Sequence, residues 1–306
     1  MTFHAHSTPS AGGPGTSFAN GHQPAPAPKH IRQDGMSLIE LLVGMVLGLL
    51  VIGVAMGALM ASRSVTGTVS DASLLQQQAS HLFRIMGRQI RQAGTLRLNL
   101  AVHKAPGQAI DVADAVAFEA RSPDFIPAQD TLRGLDNPAS GQFRLVAGYS
   151  NYTEPLHQQD EDISLQRNCL GQANSETLIQ SRFVLDTRNN SLRCAGSDTA
   201  QPLAENVANF QVRYLLQEAN GMARIRYVNA AGVQGNWSRV FGVEVCLVIF
   251  GTEAVDMPAG SSYTDCADSG GTAATIDMTT LPAPRSGRLH MVFRSVYQLR
   301  SQGLAG

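Results

Sequence analysis

The sequence predicts an α+β protein, in which one long N-terminal helix precedes a domain rich in antiparallel β-sheet. Three observations predict this class. Residues 41–62 contain no charged side chain, an amphipathic helical pattern follows them, and alternating strand-like segments with turns fill the chain from residue 95. Apolar side chains at helical spacing indicate the first kind of structure, and apolar side chains at every second position indicate the other.

The apolar segment is long enough to cross a membrane. About 20 apolar residues with a rise of about 1.5 Å each span the hydrocarbon core, and we expect a transmembrane segment at residues 38–62. A secretory signal has a shorter apolar core, so we interpret the segment as an anchor. Lys29 and Arg32 lie just before it and place that side in the cytoplasm. The rest of the chain is then expected on the outer side.

The helical pattern continues beyond the apolar segment. No proline occurs between residues 29 and 105, and Gly94 is the expected end of the helix. We therefore predict a helix over residues 36–94, whose second half packs one face on a domain. The side chains of that face recur every three or four residues, namely Leu75, Ala79, Leu82, Met86, Ile90 and Ala93.

From residue 95 to residue 306 the pattern is that of a β-rich domain. Turn-forming residues at 186–190 and 229–232 predict hairpins. The Gly- and Ser-rich stretch 251–285 predicts a long surface loop between two strands. The predicted strands are residues 112–120, 143–149, 176–186, 210–217, 223–229, 240–250 and 289–298.

Four cysteines, Cys169, Cys194, Cys246 and Cys266, lie beyond the apolar segment. An even number of cysteines in an oxidising compartment favours disulfides, and the chain has no C-x-x-C pair that would favour a metal. Of the three possible pairings we expect Cys169–Cys194 and Cys246–Cys266, because each closes a short loop with a turn inside. Each bond is expected to contribute on the order of 3 kcal/mol. A buried free thiol at Cys246 is the alternative.

Glu40 is an acid at the start of the apolar segment. A carboxylate near the centre of a bilayer costs about 2.5–3.5 kcal/mol. One interpretation is that Glu40 favours the helix N-terminus and reaches the headgroups. The other begins with Gly35. Cleavage after Gly35 would give Met36 a free α-amine about one helical turn from Glu40, and Glu40 of one copy would then neutralise the amine of its neighbour.

The apolar segment also contains two pairs of glycines, Gly44 with Gly48 and Gly53 with Gly57. Small residues four positions apart let membrane helices approach closely. Nine positions separate the pairs, which corresponds to about 180° around a helix. The pairs therefore face opposite sides, which favours a helix surrounded by other helices. The alternative is that glycine is simply common in membrane helices.

Residues 35–43, Gly-Met-Ser-Leu-Ile-Glu-Leu-Leu-Val, closely resemble the class III signal of type IV pilins. The resemblance implies that prepilin peptidase removes residues 1–35 as a cytoplasmic leader. It also implies that Met36 becomes N-methylated and that Glu40 guides assembly. Pilins and the pseudopilins of secretion systems share this signal.

The C-terminal part resembles the PilW-type minor pilins of the type IV pilus. The resemblance implies the pilin fold. It also implies an inner-membrane precursor that then enters the pilus fibre, which extends from the periplasm to the cell surface. The blocks that carry it are residues 168–171, 192–194, 202–214, Trp237, 243–248 and 292–300.

The function implied is a part in pilus assembly, as a priming or tip complex, which supports twitching motility, adhesion or DNA uptake. The implied partners are prepilin peptidase, other minor pilins, the major pilin and the assembly platform of the inner membrane. One alternative is a minor pseudopilin of type II secretion. Another is a tip adhesin that binds a ligand through residues 251–285 or 106–141.

Two clusters of charged residues could bind a ligand or could simply form solvated surface. Arg84, Arg88 and Arg91, followed by Arg97, suit DNA or an acidic neighbour, but a row near a helix C-terminus is more often a solvated face. Asp160, Glu161 and Asp162 lack the spacing of a calcium loop. With a net charge of −1, direct nucleic-acid binding is not expected. The sequence has no phosphate loop, nucleophile elbow or zinc motif, so we expect no enzyme activity, cofactor or metal.

Overall fold

The structure is a computed structural model that describes most of the chain from Gly35 to Leu299. It describes residues 35–96, 98–99, 103–105, 108–109, 111, 113–115, 117–118, 125–155, 162–164, 166–173, 176–196, 199–218 and 224–299. The predicted fold class is confirmed, since a long N-terminal helix precedes a domain of antiparallel sheets. The chain divides into two units, residues 1–56 and residues 57–306.

Helix α1 comprises residues Leu38–Gln92. Its segment Leu38–Met60 has a mean hydropathy of 2.6 and is long and apolar enough to cross a membrane. This segment ends two residues before the predicted end at residue 62. Past the helix, Gly94 has a φ of 77°, a left-handed conformation that glycine adopts without steric cost. Gly94 therefore ends the helix as the sequence predicts.

The described strands pair antiparallel throughout. In chain order the strands are β1 Leu98–Asn99, β2 Ala117–Phe118, β3 Leu132–Gly134, β4 Leu145–Ser150, β5 Thr153–Pro155, β6 Asp162–Ser164, β7 Leu178–Asp186, β8 Ser191–Ala195, β9 Gln201–Ala204, β10 Val207–Gln217, β11 Ile225–Val228, β12 Val240–Ala254, β13 Ser262–Thr264, β14 Thr275–Asp277 and β15 Arg288–Gln298. One sheet has five strands in the order β3-β4-β7-β8-β9, and another has four in the order β11-β10-β12-β15. Three ribbons of two strands, β1-β2, β5-β6 and β13-β14, accompany them.

The second half of α1 forms the centre of the core. All six side chains of the predicted apolar face are buried, and they share one cluster with inward-facing residues of both large sheets. Each large apolar side chain buried in this way contributes about 1.5–3 kcal/mol. The sheet residues of this cluster include Leu145, Ala147, Phe183, Leu192, Phe210, Val212, Tyr214, Val243, Val245 and Leu247.

Polar contacts also join α1 to the five-stranded sheet. The Ser181 hydroxyl donates to Gln89 Oε1 over 3.0 Å, and Gln89 Nε2 donates to the Arg167 carbonyl over 3.3 Å. That carbonyl also accepts from the hydroxyl of Tyr149 over 2.7 Å. Burial raises the pKa of Tyr149, so its hydroxyl stays protonated and keeps this bond. A buried network of satisfied groups of this kind fixes one register of helix against sheet.

All four cysteines form disulfides, and the pairs are Cys169–Cys194 and Cys246–Cys266. This is the sequential pairing among the three that are possible. Cys194 lies on β8 within the main core, whereas Cys246 lies on β12 and packs with Val248 in a second, smaller cluster. Cys266 belongs to the connection between β13 and β14, so the second disulfide ties that ribbon to the four-stranded sheet.

Two predicted connections differ from the structure. The turn at 186–190 is correct and joins β7 to β8. The hairpin at 229–232 is wrong, because β11 and β12 both pair with β10, from opposite sides. The chain crosses β10 instead through a short helix, α2 Ala230–Val233, whose start is capped by Asn229 Oδ1 accepting from Gly232 N over 2.7 Å.

The prediction of one long surface loop at residues 251–285 is also wrong. Strand β12 continues to Ala254, and the remainder of the segment contains the β13-β14 ribbon. Of the predicted strand 112–120, the structure assigns Ala117–Phe118 to β2, while residues 112, 116, 119 and 120 lie outside the described part.

The ribbon lies against the sheet through an aromatic stack. The His290 ring is 5.5 Å from the Phe250 ring and 5.0 Å from the Tyr263 ring, measured between centroids. His290 Nδ1 lies 2.8 Å from the Arg288 carbonyl, so Nδ1 carries the proton of the neutral ring. The buried Nε2 has no hydrogen-bond partner among the described residues. Burial lowers the pKa of His290, an effect that nearby Arg285 reinforces and Asp265 opposes.

His290 is expected to make the protein less stable in mild acid. The unfolded chain protonates this histidine near its ordinary pKa of about 6.5, whereas the folded chain keeps it neutral to lower pH. The free energy of unfolding should therefore be highest above about pH 6.5 and should decrease as the pH falls below that value. In His290→Phe this part of the decrease should disappear. Thermal unfolding at about pH 7.5 and about pH 5 measures it, and an identical decrease in both proteins would contradict the assignment.

Candidate assembly site

The predicted cleavage position lies just before α1. Gly35 and Met36 precede the helix, and the Met36 side chain is exposed. A Cβ placed on Gly35 would meet no heavy atom within 4 Å, and Gly35 is not among the glycines with positive φ. The fold of the chain therefore gives no reason for glycine at this position.

Ser37 sets the first residue of the helix. Its side-chain Oγ accepts from the backbone N–H of Glu40 over 3.3 Å, and its carbonyl accepts from the N–H of Leu41 over 3.2 Å. Serine followed by glutamate three positions later is the sequence pattern of a helix N-cap. The pattern Ser-Leu-Ile-Glu contains the signal for this cap, which the predictions from sequence above do not include. The cap fixes the helix start two residues after Met36.

Glu40 lies in the first turn of α1 and is exposed. An acid at this end of a helix interacts favourably with the partial positive charge of the free N–H groups. No described lysine or arginine forms a salt bridge with Glu40. Within the described residues the Glu40 carboxylate therefore has no ionic partner.

The apolar part of α1 presents a bare surface. Every large apolar side chain from Leu38 to Met60 is at least half exposed. At Gly44, Gly48, Gly53 and Gly57 an added Cβ would meet nothing within 4 Å. All four glycines lie within one helix, so helix geometry places the two pairs on opposite sides. Each pair leaves room for close approach of another helix.

The charged clusters noted in the sequence are partly described. Arg84 and Arg88 are exposed, and the Arg91 guanidinium lies 5.5 Å from the centre of the Tyr297 ring. Asp162 begins β6. Arg97, Asp160 and Glu161 lie outside the described residues.

Asp71 is a buried acid that is not among the residues predicted from the sequence. It is 3% exposed, and its carboxylate accepts from the N–H and hydroxyl of Thr252 and from the N–H of Glu253, each over 3.3 Å. These donors lie at the end of β12, where the register with β15 shifts between Phe250 and Ala254. Asp71 precedes Leu75 by one helical turn and so extends the buried face. That position on the apolar face was the signal available in the sequence.

Comparison with known proteins gives two family matches. Residues 170–301 match the family Type IV Pilus-assembly protein W. Residues 31–56 match the Prokaryotic N-terminal methylation motif. No curated protein matches the chain.

Among solved structures, the chain is similar to the type IV-like pilin TTHA1219 from Thermus thermophilus. The identity is 15%, the similarity covers 74% of this chain and 98% of that chain, and the TM-score is 0.36.

The two family matches fall on the features described above. The methylation motif includes Gly35–Glu40 and the start of the apolar helix, which fits a membrane-anchored pilin that prepilin peptidase processes. The other match begins beside Cys169 and includes all strands of the four-stranded sheet. Together the two matches support a PilW-type minor pilin with a role in the assembly of the type IV pilus.

Proposed function

We propose that this minor pilin is cut between Gly35 and Met36 and then enters the pilus through Glu40. The observation that carries the proposal is the state of Glu40. It is an exposed acid on a bare apolar helix, one turn after Met36, with no salt bridge to a described residue. Cleavage supplies the missing cation as the α-amine of Met36. In a low-dielectric bundle this pairing is favourable only when both charges are present.

The pairing aligns neighbouring subunits along the fibre. Glu40 of one subunit neutralises the amine of the next, and each helix keeps the same depth relative to its neighbours. The glycine pairs on opposite sides of α1 allow two neighbouring helices to approach. Those neighbours are other minor pilins and the major pilin, delivered by the assembly platform of the inner membrane.

The topology follows from the same proposal. Residues 1–35 form a leader in the cytoplasm, residues 36–94 form the helix, with a transmembrane segment at 38–62, and residues 95–306 form the outer domain. Two disulfides in that domain suit an oxidising compartment. As a minor subunit, the protein acts in a priming or tip complex, and through it supports twitching motility, adhesion or DNA uptake. The match to the pilus-assembly family favours this role over type II secretion.

Glu40→Ala tests the proposal. The variant should be cut to normal mature size, because Glu40 lies beyond the cleaved bond. Its amount in sheared filaments should fall about tenfold or more, because the neighbour's amine loses its partner. Immunoblots of membranes and of sheared filaments measure both quantities.

Glu40→Gln and Leu59→Ala are matched controls. Glu40→Gln keeps the size of the side chain and removes its charge, so it should behave like Glu40→Ala. Leu59→Ala removes exposed apolar surface elsewhere on the helix and should enter filaments normally. Wild-type incorporation of Glu40→Ala and Glu40→Gln would disprove the charge pairing.

A further inference from the structure

Strand β15 has an edge that no described strand covers. It lies at the end of the four-stranded sheet and pairs only with β12 there. The N–H of Leu299 donates to the Phe241 carbonyl over 2.8 Å, in register with the pair Val243–Tyr297. In an antiparallel ladder, alternate residues direct both backbone groups to the same side. The residues that face away from β12 are therefore His290, Val292, Arg294, Val296 and Gln298.

Among the described residues, only the second half of this edge has nothing packed along it. On the first half, Tyr263 stacks on His290 and Val292 packs against the Cys246–Cys266 cluster. From Arg294 to Gln298 the side chains that flank the edge are exposed, including Val296 at 50%. No hydrogen bond within the described part of the chain engages the outward backbone groups of Val296 or Gln298. An exposed β-branched residue on an open edge favours pairing with another strand.

The arginine row of α1 lies on the helix beside this strand. The Tyr297 hydroxyl donates to the Phe83 carbonyl over 2.8 Å, and the Tyr297 ring lies under the Arg91 guanidinium. Gly87 permits this contact, because a Cβ there would lie 2.4 Å from Tyr297 Cε1. The helix therefore borders β15 from Phe83 to Arg91. Arg84, Arg88 and Arg91 are all exposed on this stretch.

We propose that the open edge from Arg294 to Gln298 accepts an extended acidic strand of another protein. The backbone of that strand pairs with the outward groups of Val296 and Gln298, as in other cases of strand addition. Its side chains alternate between two faces. Those on the Tyr297 side are carboxylates that meet the arginines of α1, and those on the other side are apolar and lie beside Val296.

A neighbouring pilus subunit supplies this strand, a step that rests on the proposed function. The charge of the arginine row selects an acidic strand over a basic one. Nucleic acid would use the same arginines but has no need of the strand edge, because phosphate contacts carry its affinity. The two possibilities therefore differ in their response to changes in the backbone of β15.

Binding to the purified full chain in detergent tests the proposal. The probe is a fluorescent peptide of about eight residues in which glutamate and valine alternate, and a lysine–valine peptide is its charge-reversed control. The glutamate peptide should bind at least about tenfold more tightly. Val296→Pro removes an outward N–H, which an edge strand tolerates, and should weaken binding about tenfold. Val296→Thr keeps the N–H and should bind as the wild type does.

A second variant tests the arginines independently of the strand. Arg84→Glu with Arg88→Glu changes exposed side chains only, so the fold should persist. It should weaken binding of the glutamate peptide and strengthen binding of the lysine peptide. Equal affinity for both peptides, or full affinity in Val296→Pro, would overturn the proposal. The proposal would also be overturned if single-stranded DNA displaced the peptide and bound Val296→Pro as tightly as it binds the wild type.

Glu40→Ala separates this proposal from the proposed function. This variant should bind the glutamate peptide normally even though it enters filaments poorly, because Glu40 lies on the apolar segment of α1. If Glu40→Ala entered filaments normally and bound the peptide, the charge pairing of Glu40 would be refuted and the strand addition would not. If Glu40→Ala entered filaments poorly and the wild type did not bind the peptide, the strand addition would be refuted and the charge pairing would not.

Discussion

Gly35→Ala is expected to leave the protein unprocessed in the membrane, with residues 1–35 still attached. The chain itself does not require glycine here, since an added Cβ would meet nothing within 4 Å. Under the proposed function the requirement comes from prepilin peptidase, whose catalytic groups would approach this backbone closely. Glycine is the residue that permits such close approach. Intact mass and N-terminal sequencing of the membrane-purified protein measure the outcome.

Gly67→Ala is the matched control for this substitution. Gly67 also has nothing within 4 Å of an added Cβ, and it lies inside α1, where alanine is a better helix former. This variant should be processed as the wild type is, with N-methylated Met36 at its N-terminus. A Gly35→Ala protein of normal mature mass would refute cleavage at this bond.

The helix and the longest strands could be predicted because their signals are local. The apolar face from Leu75 to Ala93 repeats with the period of a helix, and it is buried as that period requires. Strand β10 alternates in the same direct way, with Phe210, Val212 and Tyr214 buried. Such patterns record which side of an element faces the core, so a short window of sequence contains them.

The order of strands was not readable from such windows. Residues 229–232 have the composition of a hairpin turn, but the strands on either side of them do not pair with each other. Strand β10 lies between them, and its position is decided by contacts with residues distant in sequence. Short edge strands such as Gln201–Ala204 were missed for a related reason, because this strand is largely exposed and contains a proline.

The residues of the candidate site also differ in how far the sequence alone can predict them. Gly35, Met36 and Glu40 lie within six residues of one another, so the sequence alone predicts a joint role for them, and that role stays a prediction. Asp71 depends on donors that lie 181 and 182 residues further along the chain. The position of Asp71 one turn before Leu75 places it on the buried face, but no local pattern shows which distant groups donate to its carboxylate.

Asp71→Ala is expected to lower the free energy of unfolding by about 2–3 kcal/mol, because hydrogen bonds to a charged acceptor are worth more than neutral ones. The N–H groups of Thr252 and Glu253 lose their acceptor, and the end of β12 loses its tie to α1. Asp71→Asn should cost less, because its amide keeps one oxygen acceptor. Ser80→Ala, at an exposed position on the same helix, should change stability by less than about 0.5 kcal/mol.

Gly251→Ala provides an independent route to the same contact. An added Cβ at Gly251 would lie 1.9 Å from Asp71 Oδ2, so the carboxylate has to move away from its donors. Urea unfolding of the full chain in detergent, followed by the fluorescence of the single tryptophan, Trp237, measures each variant. The two substitutions should be less than additive when combined, since they break one set of bonds. Full additivity would mean that Gly251 and Asp71 stabilise the protein separately, and the carboxylate would then not be what holds β12 to the helix.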